Sequence, residues 1–231
     1  MKTIGLLGGM SDQATVEYYR MINAAVNRRL GGWEIAEMVI IGVNFGNIEQ
    51  YVRQGDWQAA GAYLATKAAA AQAAGADFLM CGSNTMHRVA DQFMAGLQIP
   101  FLHIAEPTGQ AIVAAGLKRV ALLGTKPVMG SPSMRNYYEQ HFGFEVIVPT
   151  EDEQIAIDRI IFDELVRHDL RSASKEYYLA VCDRLREAGA EGVILGCTEI
   201  FLLINQADRP DFPMFDTTTL HVAAAVEWAL A

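Results

Sequence analysis

Short, unbroken apolar runs punctuate the chain at 4–7 (IGLL), 37–43 (EMVIIGV), 78–81 (FLMC), 99–102 (IPFL), 119–123 (RVALL), 145–148 (EVIV), 192–195 (GVIL) and 212–215 (FPMF). Strands covered on both faces lose the in/out alternation of half-exposed ones, so such runs predict buried strands of a parallel sheet. Between them lie segments with helical spacing or propensity. The first follows Ser11 or Asp12, either of which can cap it, and runs through Tyr18, Tyr19 and Ile22. Others are expected at 57–74, which is alanine-rich, at 108–115, 133–141, 151–166 and 172–188, and from the Asp216-Thr217-Thr218 cap to Leu230. Asn44-Phe45-Gly46-Asn47 reads as a loop. Strand and helix in alternation predict an α/β fold with mainly parallel sheets.

The pattern also repeats. Residues 74–86 (AGADFLMCGSNTM) align without a gap on 188–200 (AGAEGVILGCTEI), which sets Ser83 on Cys197 at a separation of 114 positions. IGLLGG at 4–9 recurs as VALLGT at 120–125, at a separation of 116. A helix, a Gly cap, an apolar strand and a Gly turn are common punctuation, so one match alone carries little. Two at nearly one spacing predict two pseudo-symmetric α/β domains, with 1–98 plus 213–231 forming the first and 99–212 the second. A pseudo-two-fold axis is then expected to bring the two turns together, with Cys197 facing Ser83 across a cleft.

Composition narrows the partners. A net charge of −9 and a pI near 5.0 argue against nucleic acid, and a small molecule fits better. No apolar run reaches the roughly 18 residues of a membrane span. The N-terminus enters strand-like sequence directly, so a cytoplasmic protein is expected. Cys81, Cys182 and Cys197 show neither CxxC spacing nor a Cys/His cluster, which predicts free thiols and no metal.

Chemistry concentrates after the strands. Gly8-Gly9-Met10-Ser11 turns from strand into helix without the GxGxxG spacing of a dinucleotide site, and no acidic residue closes the next strand. Ser83-Asn84-Thr85-Met86-His87 gathers hydroxyl, amide and imidazole groups at a strand's carboxyl end, where open α/β sheets bind ligands. Each also has a plain reading as a cap or structural residue. Cys197, between Gly196 and Thr198 at the head of an expected helix, is predicted to have its thiol acidified by the helix dipole. Cys81 and Cys182 read as ordinary buried thiols. No Cys-His-Asn arrangement is evident, although His103 and His221 stand near strand or helix ends. A thiol and a hydroxyl on opposite faces of one molecule suit proton removal and return at carbon. Asn84, Thr85, Thr198 and the backbone N–H groups of the turns can serve as fixed donors.

The motifs LLGGMS at 6–11, SNTMH at 83–87, GCTEI at 196–200 and FDTT at 215–218 resemble those of the aspartate/glutamate racemases over nearly the whole chain. That resemblance implies two pseudo-symmetric α/β domains with the active site at their interface, no pyridoxal phosphate or metal, and a homodimer. It implies cofactor-independent proton transfer at the Cα of aspartate or glutamate, with Ser83 and Cys197 as the acid/base pair. Met10, Asn84, Thr85, Thr198 and Glu199 match substrate-contacting positions. Arg53, Lys126, Arg159 and Arg167 are candidates for a side-chain carboxylate, with Lys126 best positioned beside the second Gly-Thr turn. The family more often has cysteine in both motifs, and serine is a much weaker acid. Two alternatives therefore stand: a single-cysteine decarboxylase or isomerase of small diacids, or a non-catalytic amino-acid-binding module.

Overall fold

The computed structural model describes residues 1–231. The chain divides into two compact units, Met1–Ile104 with His221–Ala231, and Ala105–Leu220. In the first, β1 (Ile4–Gly8), β2 (Met38–Gly42), β3 (Phe78–Cys81) and β4 (Phe101–Leu102) form an all-parallel sheet in the order β2-β1-β3-β4. Helices α1 (Asp12–Leu30), α2 (Phe45–Gln54), α3 (Trp57–Ala73) and α4 (Ala90–Met94) connect these strands. The second unit repeats the plan with β5 (Arg119–Gly124), β6 (Glu145–Ile147), β7 (Val193–Gly196) and β8 (Met214–Asp216) in the order β6-β5-β7-β8. Its helices are α5 (Ala105–Ala114), α6 (Lys126–Gly130), α7 (Pro132–Phe142), α8 (Glu151–Asp163), α9 (Ser172–Glu187), α10 (Ile200–Leu203) and the start of α11 (Thr217–Leu230).

The repeat holds at the level of strand register. Leu7 pairs with Cys81 in the first sheet and Leu123 with Leu195 in the second; each of the second pair is the partner the sequence alignment assigns to the first. The inner strands β1, β3, β5 and β7 are buried almost throughout, which is why they read as continuous apolar runs, whereas the outer strands are only partly covered. Ile4, Leu6, Phe78 and Met80 pack on one side of the first sheet against Tyr18, Ile22, Val226 and Ala229, while Leu7, Leu79 and Cys81 pack on the other against Leu64, Ala68 and Phe93.

Two expectations are corrected. The domain boundaries shift because pairing, not the repeat, decides them. Phe101 and Leu102 pair with Leu79 and Met80, so 99–104 stays with the first unit. Met214, Phe215 and Asp216 pair with Val193, Ile194 and Leu195, so the strand expected to return to the first domain completes the second sheet. The Asn44 loop is likewise a helix start: Asn44 Oδ1 accepts from Gly46 N at 3.1 Å and caps α2.

Candidate functional site

The residues singled out by the repeat stand at the carboxyl ends of β3 and β7. Beyond β3, Gly82 N donates to Leu7 O at 2.9 Å, and the chain then turns through Ser83 and Asn84, both buried, into a single 3-10 turn at Thr85–Val89. His87 fixes this turn. Its Nε2 accepts from Ile104 N at 3.1 Å, which leaves Nδ1 to carry the hydrogen and donate to Ser83 O at 2.8 Å. Burial, against the opposing pull of the Ser83 carbonyl, pushes the His87 imidazole down to about 4. It is neutral with both nitrogens engaged, so it positions the serine turn and is no general base.

Behind it, His221 Nε2 lies 3.0 Å from Leu102 O and must donate there, so Nδ1 accepts from Tyr18 OH at 2.9 Å. Burial foremost, then His87, pushes His221 down to about 3. His103 packs edge-on to His87, with ring centroids 4.4 Å apart. Met10 sits in the same apolar cluster as Cys81 and Met86. It follows Gly9, whose φ of 85° and whose approach to Val43 O, 2.4 Å from any added Cβ, admit only glycine. Ser11, not Asp12, caps α1, with Oγ accepting from Ala14 N at 3.2 Å.

The second turn starts at Gly196, where a Cβ would stand 2.7 Å from Leu123 O, so the strands approach too closely for any side chain. Cys197 follows, 6% exposed, and its Sγ donates to Glu199 Oε2 at 3.1 Å. Thr198 Oγ1 donates to the same oxygen at 2.9 Å. This arrangement overturns the expected acidification of the thiol. Helix α10 has 4 residues, too few for a substantial dipole, while burial first and the Glu199 charge next raise the Cys197 thiol well above its ordinary range. The resting group is a thiol hydrogen-bonded to a carboxylate. Cys81 and Cys182 are both pushed up to about 12, by burial foremost, and are inert as nucleophiles.

Glu199 is 2% exposed and accepts from both the Cys197 thiol and the Thr198 hydroxyl through Oε2, which places its carboxyl group directly beside the thiol. Lys126 gives its N–H to Asp158 Oδ1 at 2.6 Å, and its ammonium lies 3.8 Å from Glu151, both side chains exposed. Arg53 pairs with Glu49 on α2, and Arg159 and Arg167 are exposed. In the FDTT motif, Thr217 Oγ1 donates to Leu195 O at 2.8 Å, tying the start of α11 to β7. Asp216 caps that helix by accepting from Thr218 N at 2.9 Å. Sequence reasoning missed the Cys197–Glu199 pairing and the Tyr18–His221 bond. The first was legible in principle, since Cys and Glu stand two apart in one turn. No cluster of three or more His, Cys, Asp or Glu side chains has the geometry to hold a metal ion, and no helix is long and apolar enough to cross a membrane.

The model of the Asp/Glu/hydantoin racemase family matches residues 7–225. The chain belongs to that family. Its activity class is accordingly that of a racemase, an isomerase. A crystal structure of a candidate Asp/Glu racemase from Yersinia pestis is 41% identical over 100% of both chains, with a TM-score of 0.91. An aspartate racemase homologue from Pyrococcus horikoshii OT3 is 32% identical, again over 100% of both chains, with a TM-score of 0.84. Aspartate racemase from Picrophilus torridus shares the fold at 18% identity, covering 99% of this chain and 94% of its own, with a TM-score of 0.79.

Proposed function

We propose that this racemase interconverts the enantiomers of aspartate or glutamate without a cofactor, with Cys197 and Ser83 exchanging the Cα proton on opposite faces. The observation that carries the reading is the register equivalence of the two turns, since Ser83 and Cys197 follow paired strand ends at matching positions of the two sheets. The reading requires both turns to reach one bound amino acid.

In one direction the Cys197 thiol first passes its proton to Glu199 Oε2, its hydrogen-bond acceptor at 3.1 Å. The thiolate, now beside a neutral acid, takes the Cα proton; the electron pair left on carbon delocalises into the substrate carboxylate, and the Ser83 hydroxyl returns a proton to the other face. To close the cycle Glu199 gives its extra proton to solvent and the Ser83 alkoxide takes one from solvent, so each group returns to its starting protonation state. In the reverse direction Cys197, resting as the thiol, is the ready acid, while Ser83 must lose a proton it holds far more tightly. Turnover therefore favours substrate whose Cα proton faces Cys197. Asn84 and Thr85, beside Ser83, supply donors for the developing negative charge on the carboxylate. Lys126 takes the side-chain carboxylate, because its exposed pair with Glu151 is worth only about 0–1 kcal/mol and is readily exchanged.

Incubation with L-aspartate and, separately, L-glutamate in deuterated water tests this. Solvent deuterium at Cα together with the D-isomer is the expected result. A second reading rests on the asymmetry of the turns, since Cys197 has a carboxylate partner while His87 engages the Ser83 carbonyl rather than its hydroxyl. In that case deuterium enters with retention only, or carbon dioxide is released from a small diacid.

A further inference from the structure

The turn that carries Ser83 is held from two sides. His87 binds the Ser83 carbonyl on one, and on the other the Tyr18 ring faces Gly82, where a Cβ would lie 3.5 Å from both Cδ2 and Cε2. The Tyr18 hydroxyl donates to His221 Nδ1 at 2.9 Å, with the two rings edge to face and 5.7 Å between centroids. His221 Nε2 donates to Leu102 O at 3.0 Å, and two residues further on Ile104 N donates to His87 Nε2 at 3.1 Å. The His87 and His221 rings also meet edge on, with centroids 6.1 Å apart. These contacts close on themselves, running from Gly82 through Tyr18, His221, the end of β4 and His87 back to Ser83.

The segments joined in this way are remote in the chain. Tyr18 lies on α1 and His221 on α11. Ile104 is the last residue before the chain leaves the first unit, and His221 is the first after it returns. Both crossings are therefore fastened to the turn that carries Ser83.

The internal repeat shows that the sheet does not require this brace. Carrying the match of 74–86 on 188–200 one residue further sets His87 on Phe201, and carrying that of 4–9 on 120–125 forward sets Tyr18 on Met134. Phe201 has no hydrogen-bonding group and Met134 only a weakly accepting sulfur. The second sheet nevertheless forms with the same strand order. Tyr18 and His221 are fully buried, and burying a phenol and an imidazole carries a desolvation cost that apolar side chains of similar size avoid. The half that bears the hydroxyl has the polar brace, whereas the half that bears the thiol sets Glu199 beside it.

We infer that Tyr18 and His221 are positioning residues for the Ser83 step, holding the hydroxyl where it competes with the Cys197 thiol for the carbanion. The inference rests on the two-faced proton transfer proposed above and concerns only its Ser83 half. Once the Cys197 thiolate has taken the Cα proton, the carbanion has two fates. A proton from the Ser83 hydroxyl gives the opposite enantiomer. In deuterated water the thiol can instead exchange its proton with solvent and return deuterium to the face it came from, which gives the starting enantiomer labelled at Cα. The ratio of inverted to retained labelled product therefore reports where the Ser83 hydroxyl stands, because a misplacement of about 1 Å costs a reacting group on the order of 100-fold.

Tyr18→Phe keeps the ring against Gly82 and deletes the hydroxyl. With the faster-reacting enantiomer of aspartate or glutamate in deuterated water, this variant is expected to lower inversion by on the order of 10-fold, while KM and deuteration with retention stay within about twofold of wild type. His221→Phe is expected to shift the ratio in the same way, and the double variant no further than either alone, since both cut one chain of contacts. Amide hydrogen exchange, which needs no substrate, is the second readout: residues 82–87 are expected to exchange faster in both variants, and residues 196–200 at the wild-type rate. A role confined to holding the fold lowers inversion and retention together and loosens both segments. That outcome, fully additive effects, or a ratio indifferent to both variants in a wild type that does racemise overturns the inference alone. A wild type that forms no opposite enantiomer from either amino acid overturns the proposed function and the inference with it.

Discussion

Lowering the pH from about 7 to about 5 is expected to destabilise the first unit through His87 and His221. Both rings are neutral in the fold, pushed from an ordinary 6.5 down to about 4 and about 3, with burial the leading cause for each. Unfolded imidazoles bind protons below about pH 6.5 while the folded ones do not, so stability is fully present above that pH and is lost as the pH falls towards 4. Over this window each ring costs about 2 kcal/mol, and the pair about 4 kcal/mol, against total stabilities of about 5–15 kcal/mol. At urea m-values of about 1–3 kcal/mol/M, the unfolding midpoint falls by about 1–4 M. All three tryptophans, Trp33, Trp57 and Trp228, lie in the first unit, so their fluorescence during urea titration reports on it selectively. The carboxylates held below their usual range, Glu153, Asp183, Glu191, Asp208 and Asp211, are all in the second unit and lose their contribution only at lower pH. Replacing His221 by Gln costs stability at neutral pH by loosening Tyr18 and Leu102, but it is expected to remove about half of the slope. Because His87 holds the Ser83 carbonyl, activity should fall with the same midpoint. Parallel slopes in the wild type and His221→Gln would show the reasoning to be wrong.

Three further outcomes follow from the site. Cys197→Ala is expected to abolish racemisation measured by polarimetry, whereas Ser83→Cys raises it, because a thiol yields its proton far more readily than a hydroxyl; unchanged activity in the first variant removes the thiol from the mechanism. Glu199→Gln deletes the charge that raises the Cys197 thiol, so iodoacetamide alkylation should acquire an earlier onset with rising pH while kcat falls for want of the proton acceptor. An unshifted alkylation profile would show that burial alone sets the thiol. Gly196→Ala drives a Cβ to 2.7 Å from the Leu123 carbonyl, and a loss of about 1–3 kcal/mol, seen as a lower melting temperature, is expected.

The apolar runs and the paired motifs of the sequence determine the strands, the parallel sheets and the duplication, because burial on both faces and glycine at close approaches are demands on residue type. They also single out the two turns, since a hydroxyl and a thiol at aligned positions are visible without coordinates. Domain boundaries were not legible: whether Phe101 or Phe215 joins one sheet or the other depends on hydrogen-bond partners remote in the chain. The acidity of Cys197 was misjudged for the same reason. A helix dipole can be guessed from local sequence, but the depth of burial and the direction of the Glu199 carboxylate are set by packing. His87 and His221 look alike as letters, yet only tertiary structure engages both nitrogens of each ring and makes them struts rather than bases.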